Sequence, residues 1–266
     1  MIISVWNNKG GQGKTTISMS LAFALVKKFG KGNIVLIDSD SQANITDSVK
    51  VKSTYQCDLF EQLNSDRFRL RPNHTDWGFD LITGDYQLKD LNRGNESRRK
   101  TLIKRIQEMF ATLNEMYAIT IIDCSPSLDG DTLRSVLNFS DRFILPVVLA
   151  GRKEIAGVKN SFRFLSDLKI QLDMASILFN RHGASVISPR VRRQIEEMGY
   201  KCFNNIISDA LLYIPICEER GVPPGIDPTG DGLTYVRNVE LLIDEILTVW
   251  SVKIPKMKYL GRGDWN

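Results

Sequence analysis

The 266-residue chain reads as an α/β protein, a doubly wound and mainly parallel sheet with helices on both faces. Two observations predict this. Short apolar, β-rich runs alternate along the chain with stretches whose apolar residues recur at helical spacing, which is how strand-helix-strand units are written. Several of those runs also end in a glycine-rich loop, a carboxylate or an asparagine, and sheets of this kind gather ligands at the carboxyl ends of their strands.

Ile2, Ile3 and Val5 form the first run. Ile17, Leu21, Ala24 and Leu25 then mark a helix that should end at Lys27, Lys28 and Gly30, since cations and glycine favour a helix C-terminus. A second strand is expected over 33–38. The region 51–95 is irregular and polar, with a weak strand at 79–83 and a break at Gly94. An amphipathic helix over 97–116 follows, placing Arg98, Arg99, Lys100, Lys104 and Arg105 among Leu102, Ile103, Ile106, Met109, Phe110 and Leu113. Strands are expected at 118–123, 142–148 and 175–179, and a helix opened by Arg190 to Arg193 with Val191, Ile195 and Met198 on its apolar side. Leu241, Leu242, Ile243, Ile246, Leu247 and Trp250 make a last core helix ending near Trp250. No linker, internal repeat or low-complexity tract intervenes, so the expectation is one domain over 1–250 and a surface tail over 251–266.

A hydrophobic fraction of 42% and a charged fraction of 25% suit a soluble globule with a sizeable core. No apolar run approaches a membrane span, and the first strand starts at once, so neither a signal peptide nor a compartment other than the cytoplasm is expected. Cys57, Cys124, Cys202 and Cys217 are scattered and lack C-x-x-C spacing, and His74 and His182 are the only histidines; reduced thiols are expected, not a zinc site. The net charge of +4 is mild, so any nucleic-acid contact must rest on local clusters.

The chemistry is concentrated in Lys9-Gly10-Gly11-Gln12-Gly13-Lys14-Thr15-Thr16. Glycines let successive backbone N–H groups turn inward around a polyphosphate, and the helix that follows aims its positive end at the same oxygens. Lys14 adds a full charge for the outer phosphates, and the Thr15 hydroxyl is placed to ligate magnesium. Asp38 and Asp40 close the second strand two residues apart, so both can face one side of an extended segment; either can also serve as a helix N-cap or an Asx turn. Asp123 ends the apolar run Ile119-Thr120-Ile121-Ile122, a buried strand delivering one carboxylate.

The ordinary phosphate-loop pattern G-x-x-x-x-G-K-[ST] fails here, because its first glycine falls on Asn8 and Lys9 follows. The loop instead resembles the deviant Walker A motif, K-G-G-x-G-K-[ST], of the ParA and MinD family of ATPases, closest to the short ParA proteins. Asp38-Ser39-Asp40-Ser41-Gln42-Ala43-Asn44 is similar to that family's D-x-D-P-Q-x-N, with Ser41 in place of proline, and Cys124-Ser125-Pro126-Ser127 to its D-[TC]-x-P-[PS] switch segment. The resemblance implies ATP and Mg²⁺ as cofactors. Lys14 would bind the phosphates, Thr15, Asp38 and Asp123 would hold the magnesium shell, and Asp40 would orient the attacking water. Lys9 would reach the partner's ATP in a sandwich homodimer, supplying a cation in trans. Asn180 and Arg181, at the end of Ile177-Leu178-Phe179, would lie at the adenine, with Ile214-Pro215-Ile216-Cys217-Glu218 near the base.

Short ParA proteins bind DNA nonspecifically as ATP dimers and are released when a ParB-like adaptor stimulates hydrolysis, so the resemblance implies a cytoplasmic, nucleoid-associated plasmid or chromosome partitioning ATPase. Arg190, Arg192, Arg193 and Arg220 are the candidate DNA contacts, with Arg181 and Lys201 beside them. No winged helix precedes the loop, so direct promoter repression is not expected. The alternatives are a ParA-like enzyme positioning a protein assembly on the nucleoid and a MinD-like membrane switch. Against the membrane stand Pro255, which interrupts the basic C-terminal stretch, and Gly261 and Gly263, which follow it. Iron-sulfur reductases of related fold need paired cysteines that this chain lacks.

Overall fold

The computed structural model describes residues 1–49, 58–65, 70–93, 95–126, 130–149, 151, 153–181 and 187–252. Strand β1 (Ile2–Val5) runs through the glycine-rich loop into α1 (Lys14–Phe29), β2 (Ile34–Asp38) and the short α2 (Asn44–Ser48). Then come α3 (Leu59–Asn64), β3 (Asn73–His74), β4 (Asp80–Ile82) and a 3₁₀ turn at Tyr86–Asn92. After α4 (Glu96–Met116), β5 (Ile119–Asp123) and α5 (Asp131–Phe139), β6 (Arg142–Val148) leads to α6 (Lys153–Asp167) and β7 (Ala175–Asn180). Helices α7 (Ile187–Glu196), α8 (Tyr213–Arg220) and α9 (Asp231–Val249) complete the described chain.

The strands lie in the order β3-β4-β2-β5-β1-β6-β7, parallel except for the edge strand β3. β1 is flanked by β5 and β6, and the chain leaves it toward β2 on one side and later reaches β6 on the other, so the loop after β1 opens at the switch point of the sheet. Successive side chains point to opposite faces: Ile2, Trp6, Val35 and Ile37 join one core with α4, α5 and α6, while Ile3, Val5, Ile34 and Leu36 join another with α1 and α9. Two covered faces explain why the strands carry almost unbroken apolar runs.

Local chemistry sets the ends. Gly30, at φ 83°, caps α1 by donating its N–H to Val26 O, with Lys27 and Lys28 in the last turn. The Asn95 side chain accepts from Arg98 N and starts α4. The expected strands and helices are therefore present, with small shifts in their ends. The region 51–95 is richer than expected: besides β4 it holds α3, the 3₁₀ turn and the antiparallel β3. Arg190 to Arg193 sit inside α7, not at its start. Gly94, Ser127 and the tail from residue 253 onward lie outside the described residues. No described helix is long and apolar enough to cross a membrane.

Candidate functional site

The loop after β1 is held open by backbone geometry and by contacts to neighbouring strands. Gly11 and Gly13 take φ values of 73° and 81°, which side-chain-bearing residues rarely adopt. Asn7 Nδ2 donates to Pro146 O (2.7 Å) and Asn7 Oδ1 accepts from Lys9 N (3.0 Å). Gln12 Oε1 accepts from Val148 N at 2.8 Å. These bonds tie the loop to the end of β6 and leave the start of α1 directed at the space above the sheet.

Below that space lies a buried cluster of charge. Asp123 takes hydrogen bonds from the Thr15 hydroxyl (2.8 Å, Oδ2) and from the Ser18 hydroxyl (3.0 Å, Oδ1). Burial first, and the nearby Asp38 charge second, push Asp123 up to about 7. Asp38 is pushed up to about 6, chiefly by burial, although it accepts from Thr46 N, Thr46 Oγ1 and Asp40 N. Lys14 is itself buried and its pKa is lowered by that burial, against the attraction of Asp123 and Asp40. Two carboxyl groups that resist ionising beside a desolvated ammonium make a site that gains from an added cation and an added anion together. Asp40 is buried beside them, and its Oδ1 accepts from Gln42 N in an Asx turn (3.0 Å).

Lys9 does not point into this cluster. Its Nζ lies 2.5 Å from Glu154 Oε1 on α6, and Glu154 is buried while Lys9 stays 40% exposed. Ser161, two turns further along α6, donates to Asn8 Oδ1 at 3.0 Å. Adjacent residues of the loop are thus docked on the inner face of one helix.

On the other side of the loop, Thr16, Asn180, Arg181, Asp209, Pro215 and Tyr235 are among the residues lining a cavity of about 150 Å³. Asn180 is buried in its wall, and its amide is already engaged: Nδ2 donates to Gln12 O (2.9 Å) and Oδ1 accepts from Arg181 N (2.9 Å). It therefore fastens β7 to the phosphate loop. Arg181, at φ 50°, turns out of the strand end into the cavity wall. Ile214 and Pro215, which lie in the first turn of α8 and not in a loop, line this cavity, and Asp231 clamps the start of that helix by accepting from Leu212 N and Tyr213 N.

The four candidate DNA contacts do not form one open cluster. Arg192 pairs with Glu196 and lies over the Phe179 ring, Arg193 pairs with Glu197, and Arg220 pairs with Asp227. Arg190 is exposed. Ser18, Thr46, Glu154 and Tyr235, whose hydroxyl bonds Ser20 (2.8 Å) beneath the cavity, were not foreseen from sequence. Ser18 alone had a local signal, one helical turn after Lys14 on the same face.

The strand order and this loop-carboxylate geometry define a P-loop ATPase with a deviant Walker A motif. The AAA domain family AAA_31 matches residues 1–175, and the chain belongs to it as a ParA/MinD-type ATPase. The sporulation initiation inhibitor protein Soj of Bacillus subtilis is 32% identical over 152 residues, covering 55% of this chain and 57% of Soj. A plasmid partition protein from Borrelia burgdorferi B31, solved with AMPPNP, shares the fold at a TM-score of 0.75 and 23% identity, covering 93% of this chain and 98% of that one. The septum site-determining protein MinD of Pyrococcus horikoshii, solved with Mg-ADP, shares it at a TM-score of 0.66 and 17% identity, covering 93% and 97%.

Proposed function

We propose that this chain is a ParA-type partitioning ATPase: it binds ATP and Mg²⁺, closes into a sandwich homodimer, and binds DNA without reading its sequence. A ParB-like adaptor then stimulates hydrolysis and releases it. The carrying observation is the division of labour between two lysines of one loop. Lys14 is buried beside Asp123, whereas Lys9 reaches away from that cluster to Glu154 and stays partly exposed, available to a second subunit.

The residues present fit magnesium. Thr15 Oγ1, Asp123 and Asp38 offer hard oxygen donors, and among the described residues no three Asp, Glu, His or Cys side chains converge into a protein-only cage. That suits an ion that takes one or two protein oxygens and completes its shell with water and phosphate. Bound there, magnesium would neutralise charge on the transferring phosphoryl group. Lys14 and the loop N–H groups hold the phosphates, Asp40 orients the attacking water, and Arg181 with residues 214–218 of α8 encloses the base. Lys9 completes the partner's site once it leaves Glu154.

Retention of the full-length protein on nonspecific duplex DNA, with ATP and with ADP across a salt series, tests this together with sedimentation of the dimer. Binding that needs ATP, coincides with dimerisation and falls steeply with salt supports the proposal. Retention on anionic vesicles with none on DNA would replace it by a MinD-like role.

A further inference from the structure

We infer that the outer face of α6 is the surface that grips the phosphate backbone of duplex DNA; the inference rests on the DNA-binding reading above and moves the contact away from Arg190 to Arg193. Lys153, Ala156, Asn160 and Arg163 recur on one exposed face of α6, with Lys159 beside them. The side chains of Lys153, Lys159 and Arg163 make no hydrogen bond or ion pair with another described residue. On α7, by contrast, Arg192 and Arg193 are neutralised within their own helix. A cation already holding a carboxylate gives up that pair on reaching a phosphate; the α6 cations have none to give up.

Acids do little to offset the face. Glu154 is turned inward beneath Lys9, and Asp167, at the last turn, is exposed and makes no ion pair with Arg163. At 1.5 Å per residue, Lys153 to Lys159 spans about 9 Å and Lys159 to Arg163 about 6 Å along the axis, so each cation meets a different phosphate. Small side chains between them, Ala156 and Asn160, allow close approach. The face exposes no aromatic ring on which unpaired bases would stack and no large apolar group to anchor a protein or enter a bilayer, so a duplex backbone is the occupant it fits. The inner face of the same helix holds Asn8 and Lys9, which puts the DNA surface and the loop that handles nucleotide on opposite sides of one rigid element.

The test compares full-length Lys159→Glu/Arg163→Glu and Arg192→Glu/Arg193→Glu with the parent protein, by retention on duplex DNA with ATP across a salt series. The α6 pair should bind at least about tenfold more weakly with a salt slope shallower by about 2, one per lost phosphate contact, while the α7 pair loses much less. Thermal melting and ATP turnover without DNA should match the parent for the α6 pair. Lys159→Gln/Arg163→Gln, which adds no acid, should fall between. Parental retention by the α6 variants, or a larger loss from the α7 pair, would overturn the assignment and leave the DNA-binding reading standing. Failure of the parent protein to bind DNA would overturn both.

Discussion

Glu154 Oε1 accepts a hydrogen bond from Lys9 Nζ at 2.5 Å, across 145 residues of sequence, and the carboxylate is almost wholly buried where the ammonium is not. For Lys9 to serve a second subunit this bond must break, leaving Glu154 desolvated and unpaired. The pair therefore opposes dimerisation. Glu154→Gln removes the charge that holds Lys9 and should tighten the ATP-dependent dimer by about 1 kcal/mol, roughly fivefold in its dissociation constant, after discounting for the exposure of Lys9. Analytical ultracentrifugation with ATP measures this, and an unchanged or weaker dimer would show that the pair is no latch.

Lys9 and Lys14 should fail in different ways. Lys14→Ala removes the one buried cation of the phosphate site among the described residues and should abolish ATP binding, since the loop N–H groups are left to hold the outer phosphates alone. Lys9→Gln leaves the loop glycines and Lys14 in place, so ATP binding should persist within a fewfold while dimerisation and turnover are lost together. A fluorescent nucleotide titration beside a phosphate-release assay separates the two; normal turnover by Lys9→Gln would return Lys9 to an ordinary surface residue.

The loop was legible because its demands are local. Glycines at positive φ, a lysine and a hydroxyl in one short stretch, and a carboxylate ending an apolar run each leave a mark within a few residues. Glu154 left none: its neighbour in α6 is Lys153, and only the packing of α6 against the loop brings it to Lys9. Thr46 was hidden for the same reason, since it acts by folding back eight residues onto Asp38. Strand β3 is two residues long, too short for any alternation to show, and its pairing with β4 is seen in the register of Asn73 with Leu81 and of His74 with Asp80. The arginines of α7 show the converse failure. Their spacing announced a basic cluster, but Glu196 and Glu197 stand one turn further on and take two of the charges.

Asp40 is buried like Asp38 and Asp123, but it is the most accessible of the three, and its carboxylate accepts from a backbone N–H of its own turn, Gln42, where theirs accept from side-chain hydroxyls. It can therefore reach a water without giving up a core contact. Asp40→Ala should bind ATP and dimerise, but hydrolyse at least about a hundredfold more slowly, the usual size of a positioned general base. The trapped dimer should then remain on DNA long after the parent protein has dissociated. Rapid turnover by this variant would assign the water to another group.

Asp123 links the site to stability. Its carboxyl titrates near 7 in the folded protein, far above its unfolded value of 3.8, so between those values the folded state holds a proton that the unfolded chain has released. Stability of the nucleotide-free protein should therefore fall as pH rises from about 4 to about 7, and Asp38, raised to about 6, adds to the same slope. Asp123→Asn keeps an acceptor for Thr15 or Ser18 but cannot ionise. It should flatten the slope and stabilise the nucleotide-free protein at pH 8 by about 1 to 3 kcal/mol, while removing the magnesium dependence of nucleotide binding. Denaturant melts at pH 5 and pH 8 decide it: a variant no more stable than the parent at pH 8 would mean that Asp123 is already ionised at little cost beside Lys14.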